Sequence, residues 1–437
     1  MFRTRTATAP PPLSASILRA APIVLGMTVL GLAILGFLDI PRISGDLLPL
    51  WLAGQAFAEG APGEVYAPVE PVFRMLPPDS WAERARAAGY EGFIYPFVYP
   101  PLWAWVFGLI GRIADFQTLA GLASIVNPAL LLATCLLAWR ASGAAQGVVV
   151  HVVIALALLL MTPVGRIAIM QNQAQILVAF LVVLALERTR ANRPVSAGAA
   201  LALAASIKLF PAIFALFWLA SGERRAFAAF AAMGLGLGLM SLAVAGWPLH
   251  AEFLGHVASI GRTGFFSPLS FSLDGVLAKY MTGAPIEVLL GHTAPGAEVP
   301  RRITVAEKGP ALVLSGQAAL LLLTASFAWA MARARQTTRN AALWPAALTL
   351  FPLIGPIAWS YYFIAATAFA PTLLSRLGMA RGAAVLIVVF GPIHVWALPG
   401  MQALGTDFQR LGAVLFLILG LAFLVAARAG PERSGKT

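Results

Sequence analysis

In a chain of 437 residues with only 18 carboxylates, one acid stands eight residues beyond an N-terminal apolar span, in Arg42-Ile43-Ser44-Gly45-Asp46-Leu47-Leu48-Pro49. A carboxylate at the mouth of a membrane helix can take a proton from an acceptor hydroxyl as a bond forms, the work of a general base. Asp46 can equally cap the N-terminus of the stretch that follows it and favour that helix's dipole, and on sequence the two duties are evenly matched. Other polar groups stand on the same side: Tyr95 and Tyr99 in Tyr95-Pro96-Phe97-Val98-Tyr99-Pro100-Pro101, Arg166, Gln171-Asn172-Gln173-Ala174-Gln175, Lys208, and Trp359-Ser360-Tyr361-Tyr362. The aromatics have an ordinary alternative in the interfacial belt, and the amides in satisfying a helix end or joining neighbouring helices. Lys208 is harder to assign to structure alone, because an ammonium so far from either end of an apolar segment costs roughly 3 kcal/mol unless paired or hydrated.

The elements that must position these groups are membrane helices. The chain is 59% hydrophobic and 11% charged, with a mean hydropathy of +0.83, and its apolar runs are continuous rather than alternating. That pattern indicates a polytopic helical membrane protein and excludes a closed barrel. The net charge of +12 comes from arginines clustered in short loops, a topology signal rather than a nucleic-acid footprint. Arg3, Arg5 and Arg19 precede Ile17 to Leu38, which reads as a retained first helix with a cytoplasmic N-terminus. The single cysteine, Cys135, lies in an apolar span and offers neither a disulfide nor a metal site.

Threading between basic loops gives ten full spans near 17–38, 116–139, 147–163, 174–188, 226–246, 311–332, 342–358, 359–375, 383–398 and 410–428. Parity then requires two more segments that enter and leave on one face. Pro96 to Ile113 is one. Ser196 to Leu219, interrupted by Lys208-Leu209-Phe210-Pro211, is the other, with a proline-kinked single span as the competing reading. Proline beside a charge marks a broken helix, or re-entrant hairpin, whose freed backbone groups face protein or water. The expected fold is therefore an all-α bundle in one domain with external loops 39–95 and 247–310. The first loop carries amphipathic stretches at Leu47 to Phe57 and Trp81 to Ala88, and the second carries His250, His256, Arg262, Lys279, His292, Arg301 and Arg302.

No Walker loop, Rossmann glycine fingerprint, Cys/His zinc spacing or Gly-x-Ser-x-Gly elbow is present, so neither a metal nor another cofactor is expected. One picture accounts for the polar set. A sugar joined to a polyprenyl chain through phosphate would lie with its chain in lipid and its phosphate near Lys208, Arg166 or Arg262, while Asp46 activates an acceptor hydroxyl on a lipid or glycan. A lipid-linked sugar flippase would use the same broken helices and mid-membrane lysine. Transporters usually repeat internally, and the two halves of this chain show no clear match.

The residues resemble the polyprenyl-phosphate-dependent glycosyltransferases of family 87, which share the membrane-embedded GT-C architecture and include mannosyltransferases. The likeness begins at Gly45-Asp46-Leu47 and Gly63-Glu64-Val65-Tyr66. It continues through Tyr99-Pro100-Pro101-Leu102, Gln171 to Leu177, and Ala197-Gly198 to Ile207-Lys208-Leu209-Phe210-Pro211, and ends at Arg224-Arg225. The resemblance implies an inverting hexosyl transfer, mannose first, from a polyprenyl phosphate on the external face of the inner membrane. It puts the base at Asp46, with Asp39 as the nearest competitor. Substrate contacts would fall among Lys208, Arg166, Arg262, Gln171, Asn172, Gln173, Tyr95, Tyr99, Trp359, Tyr361 and Tyr362. The chain departs from the family at the glycine before glutamine, here Met170 or Asn172, which leaves Gln171 and Gln173 both open as the matched residue. It departs again where relatives carry a histidine after the tryptophan, since this chain has Tyr361 and Tyr362.

Overall fold

Asp46 is followed by helix α1 (Leu48–Ala58) in a computed structural model that describes residues 31, 34, 37–289, 302–394 and 405–429. Most of the expected span 17–38, the readings at Arg3, Arg5, Arg19, His292 and Arg301, and the tail past 429 lie outside the described residues.

The stretch expected to be amphipathic is buried at Leu48, Leu50, Leu52, Ala53, Gly54 and Ala56, positions that run right round the helix. It packs inside the bundle because Gly54 lets it approach the backbone around Phe107: a Cβ there would stand 2.5 Å from the Phe107 carbonyl carbon. Helix α2 (Trp81–Ala87) lies in the same external loop. Helix α3 (Pro101–Ile110) opens with proline at its first position, where no N–H is needed. Its ten residues rise only ~15 Å, about half the hydrocarbon thickness.

Helix α4 (Phe116–Ser142) starts where the Asp115 side chain accepts from the Thr118 N–H and stops at Gly143, whose φ of 63° only glycine adopts freely. Helices α5 (Val148–Leu160) and α6 (Pro163–Met170) are bent by 68° across Met161 and Thr162, since Pro163 can begin a helix but not continue one. Helix α7 (Gln175–Arg190) follows the Gln-Asn-Gln turn. Helix α8 (Pro194–Ile207) ends at an extended Lys208, and after a single 3-10 turn over Phe210–Ala212 the chain resumes as α9 (Ile213–Ala220). The break expected at Lys208 to Pro211 is therefore present, and the pair it separates is not among the apolar pairs bent by more than 40°.

Helix α10 (Arg224–Arg262) differs from the expected span 226–246. Gly246, at φ 71° and ψ 165°, interrupts it before Trp247 and Pro248, and the helix then continues to Arg262. The second loop expected from sequence thus begins as a helix. It goes on through β1 (Thr263–Phe266), α11 (Leu273–Met281), β2 (Ile286–Leu289) and β3 (Arg302–Glu307), which form an antiparallel sheet in the order β1-β3-β2. A sheet departs from the all-α expectation. Short β-branched and aromatic runs here bury Phe265, Val288, Ile303 and Val305 against Val72 and Phe73 of the first loop, which packs the two external loops together.

The bundle closes with α12 (Pro310–Arg333), α13 (Trp344–Ile354), α14 (Ile364–Phe369), α15 (Thr372–Arg376), α16 (Met379–His394) and α17 (Thr406–Arg428). Among the described residues four helices, α4, α10, α12 and α17, are long and apolar enough to cross a membrane, and α5 with α6 makes a fifth if the bent pair is one span. The remaining expected spans within this region correspond to shorter or segmented helices, so the count of ten does not follow from helix length. Only 6% of the most apolar window of α10 is buried. Its leucines face outward, as lipid-facing residues do and a soluble core would not allow. The chain is a multi-pass helical membrane protein.

Candidate active site

The Asp46 loop is pinned by backbone before any side chain acts. Ile43 and Ser44 donate their N–H groups to the Met170 carbonyl at 2.8 and 3.0 Å, and the Asp46 N–H reaches the Gln171 carbonyl at 3.2 Å. Both partners in this embrace are tightly turned: Ser44 has φ 60° and Asn172 has φ 47°, left-handed values that an asparagine or a locally bonded serine tolerates. The buried Asn172 amide ties them together. It donates to Ser44 Oγ at 2.9 Å and Ser124 Oγ at 3.0 Å, and its Oδ1 accepts from Asn127 at 2.9 Å. Gly45 is required by space, because a Cβ there would stand 2.5 Å from Gln171 Oε1, 3.0 Å from the Tyr90 hydroxyl and 3.3 Å from the Tyr95 ring.

Leu47, not Asp46, occupies the cap position of α1. The Asp46 carboxylate instead accepts from Gln173 Nε2 at 2.8 Å. Gln173 has no choice of orientation, since its Oε1 accepts from the Tyr99 hydroxyl at 3.1 Å and the Gln175 N–H at 3.3 Å, leaving the amide nitrogen to face the acid. Tyr99 is held in turn, its carbonyl accepting from the Tyr66 hydroxyl at 2.6 Å. Of the two glutamines left open by sequence, Gln173 touches Asp46. Gln171 is buried with its Oε1 lacking a hydrogen-bond partner among the described residues.

Lys208 completes the arrangement. The helix break brings its ammonium over the faces of Tyr362, Tyr361 and Tyr99, at 4.6, 5.4 and 5.8 Å from the ring centroids. Such cation–π contacts contribute about 0.5–2 kcal/mol each. Asp46 is near enough to act electrostatically on Lys208, Tyr99, Tyr361 and Tyr362. The tyrosine wall is itself anchored: Tyr362 stacks on Phe210, Tyr361 stacks on Trp359, Ser360 N–H donates to the Leu269 carbonyl at 2.8 Å, and Phe271 N–H donates to that of Ala358 at 2.7 Å. The segment after α10 thereby fixes one side of the site.

The structure gathers Asp46, Gln171, Asn172, Gln173, Tyr95, Tyr99, Lys208, Trp359, Tyr361 and Tyr362. Arg166 is half-buried on α6, the helix whose Pro163 carbonyl accepts from Ser360 Oγ. Arg262 stands apart, exposed at the end of α10 with its guanidinium turned back to the Ala258 carbonyl. Sequence reading missed Phe210, Ser44, Asn127 and Trp103, whose indole N–H donates to the Ser206 carbonyl just before the break. Asn127 carried a usable signal, being an amide in mid-span beside Pro128. The others look like ordinary loop or lipid-facing residues until folded.

A carboxylate held by an amide, beside a lysine placed by a helix break in a membrane bundle, is an arrangement suited to group transfer. The model of glycosyltransferase family 87 matches residues 97–356, more than half of the chain, and the chain belongs to that family: it is a membrane glycosyltransferase. The matched segment includes Tyr99, Gln173 and Lys208, while Asp46 and Trp359 to Tyr362 lie outside it. No match is found among curated proteins.

Proposed function

We propose that the protein moves a hexose, mannose in the first instance, from a polyprenyl-phosphate donor to a hydroxyl of a lipid or glycan acceptor at the external face of the cytoplasmic membrane. Asp46 takes the acceptor proton as the hydroxyl oxygen attacks the anomeric carbon. The bond from that carbon to the phosphate oxygen breaks with inversion, and polyprenyl phosphate leaves with the electron pair. Lys208 stabilises the charge on the departing phosphate, with Arg166 next in line. Tyr95 and Trp359 offer faces for sugar or lipid. The observation that carries this reading is the chain of contacts from Asp46 through Gln173 and Tyr99 to Lys208, which couples a base and a cation across one small volume. A flippase needs no such pairing, and membership of a glycosyltransferase family removes the reason to prefer it.

The test uses purified protein, radiolabelled polyprenyl-phosphate sugars and membrane lipid extract. Asp46→Asn keeps an acceptor for the Gln173 amide but cannot take a proton, so transfer should fall about 10²- to 10⁴-fold with an unchanged size-exclusion profile. Near-normal turnover in that variant would remove Asp46 from the mechanism. Labelled product from a nucleotide-sugar donor alone would remove the polyprenyl phosphate.

A further inference from the structure

At the far end of α7 from the site, the C-termini of α4 and α7 enclose a cavity of about 450 Å³ lined by Trp139, Arg140, Gly143, Glu187 and Arg190. The sixteen residues of α7 separate it from Gln173 by ~24 Å, most of a bilayer's hydrocarbon thickness. It therefore belongs to the opposite leaflet and takes no part in the transfer.

The charges in the cavity are unequally satisfied. Glu187 is buried, with one oxygen 2.8 Å from Arg140 and the other on Arg188, so its charge is already met by two guanidiniums. Arg190 has no acidic partner among the described residues. Its guanidinium lies over Gly143, where a Cβ would stand 2.9 Å from Nη2. The missing side chain of that left-handed cap is what gives the cation its place in the cavity. Trp139 forms one wall, oriented by its indole N–H bond to the Gln146 carbonyl at 2.9 Å, and an indole at the end of a membrane helix sits at headgroup depth.

We infer that this cavity binds the phosphate of an anionic phospholipid headgroup, with Arg190 as the principal contact and Arg140 and Trp139 at its sides. The shared chemistry is a phosphate oxyanion against a guanidinium, and its two possible sources are a lipid and free phosphate. A lipid is favoured because the cavity opens at the level of the helix ends, beside an interfacial tryptophan, where headgroups reside.

The experiment takes the full chain in detergent and measures bound lipid by native mass spectrometry alongside the thermal unfolding midpoint. Phosphatidylglycerol, phosphatidylcholine and inorganic phosphate are added separately. Phosphatidylglycerol should bind and raise the midpoint, phosphatidylcholine and phosphate should not, and Arg190→Gln should weaken phosphatidylglycerol binding about fivefold while sugar transfer stays unchanged. Equal effects of the two phospholipids overturn the inference, as does wild-type binding by Arg190→Gln. An equal shift from phosphate alone overturns the lipid as its source. Should Arg190→Gln fail to fold, the comparison of headgroups on the unsubstituted protein still decides.

Discussion

At the scale of residues, the site rests on one acid and one ammonium set close together. Gln173 donates to Asp46, and three tyrosine faces surround Lys208. The tyrosine faces place the lysine's charge where a phosphate can meet it. Lys208→Met should therefore lower kcat/KM for the lipid-linked donor about 10²-fold, and Lys208→Arg should recover part of the loss. Steady-state kinetics with donor varied at fixed acceptor gives both numbers. Gln173→Leu is expected to act differently. It leaves both charges and frees the acid to turn, so kcat should fall with little change in donor KM.

At the scale of elements, the site is a seam between two left-handed turns, Ser44 and Asn172, on segments 128 residues apart. Gly45→Ala would drive a methyl into Gln171 and the tyrosines and displace the loop. A shift of about 1 Å costs about 10²-fold in rate, so activity should fall well before the unfolding midpoint does. Asn172→Ala removes the amide from Ser44, Ser124 and Asn127 together and leaves alanine in a left-handed backbone. It should destabilise by about 2–4 kcal/mol, read as a lowered denaturation midpoint in detergent. Sequence made the break at Lys208 to Pro211 legible because a proline removes a helical hydrogen bond and a charge in an apolar run demands a polar surround. The continuation of α10 beyond Gly246 was hidden, since Trp247, Pro248 and His250 read as a loop. The sheet was hidden too, because its strands are four to six residues long and the residues they pack against lie in another loop. Most residues named from sequence fall together in space, Arg262 apart, but which of Gln171 and Gln173 meets Asp46 depends on which amide the Tyr99 hydroxyl reaches.

At the scale of the whole molecule, the described residues of segments 39–95 and 247–310 pack together into a small domain-like cover on a lipid-facing bundle. Its interior holds an ion pair between Lys308 and Asp274 at 2.7 Å, nearly inaccessible on both sides. Lys308→Met alone should cost about 3–5 kcal/mol by stranding the acid, and adding Asp274→Leu should return much of that loss. A thermal denaturation series of the two single variants and the double variant measures it. On the first loop, Glu64 is held below the usual carboxylate range by the Ser80 hydroxyl and then by Arg84. A lowered folded-state pKa means its contribution is complete above the unfolded value, near 4.5, and is lost as pH falls through the folded value. Between about pH 6 and about pH 3, wild type should lose more of its unfolding midpoint than Glu64→Gln, by a small margin because the group is solvent-facing.

The wall formed by Trp359 to Tyr362 bears on how the protein is made. The acid emerges from the ribosome first, its amide partner 127 residues later, and the tyrosines that enclose the lysine only after α9 to α13 have been made. A nascent chain therefore carries the acid and the cation through that stretch of its insertion without the surface that assembles them. Chains truncated before Trp359 should insert yet remain catalytically silent, so that activity at the membrane requires the wall as well as the charges.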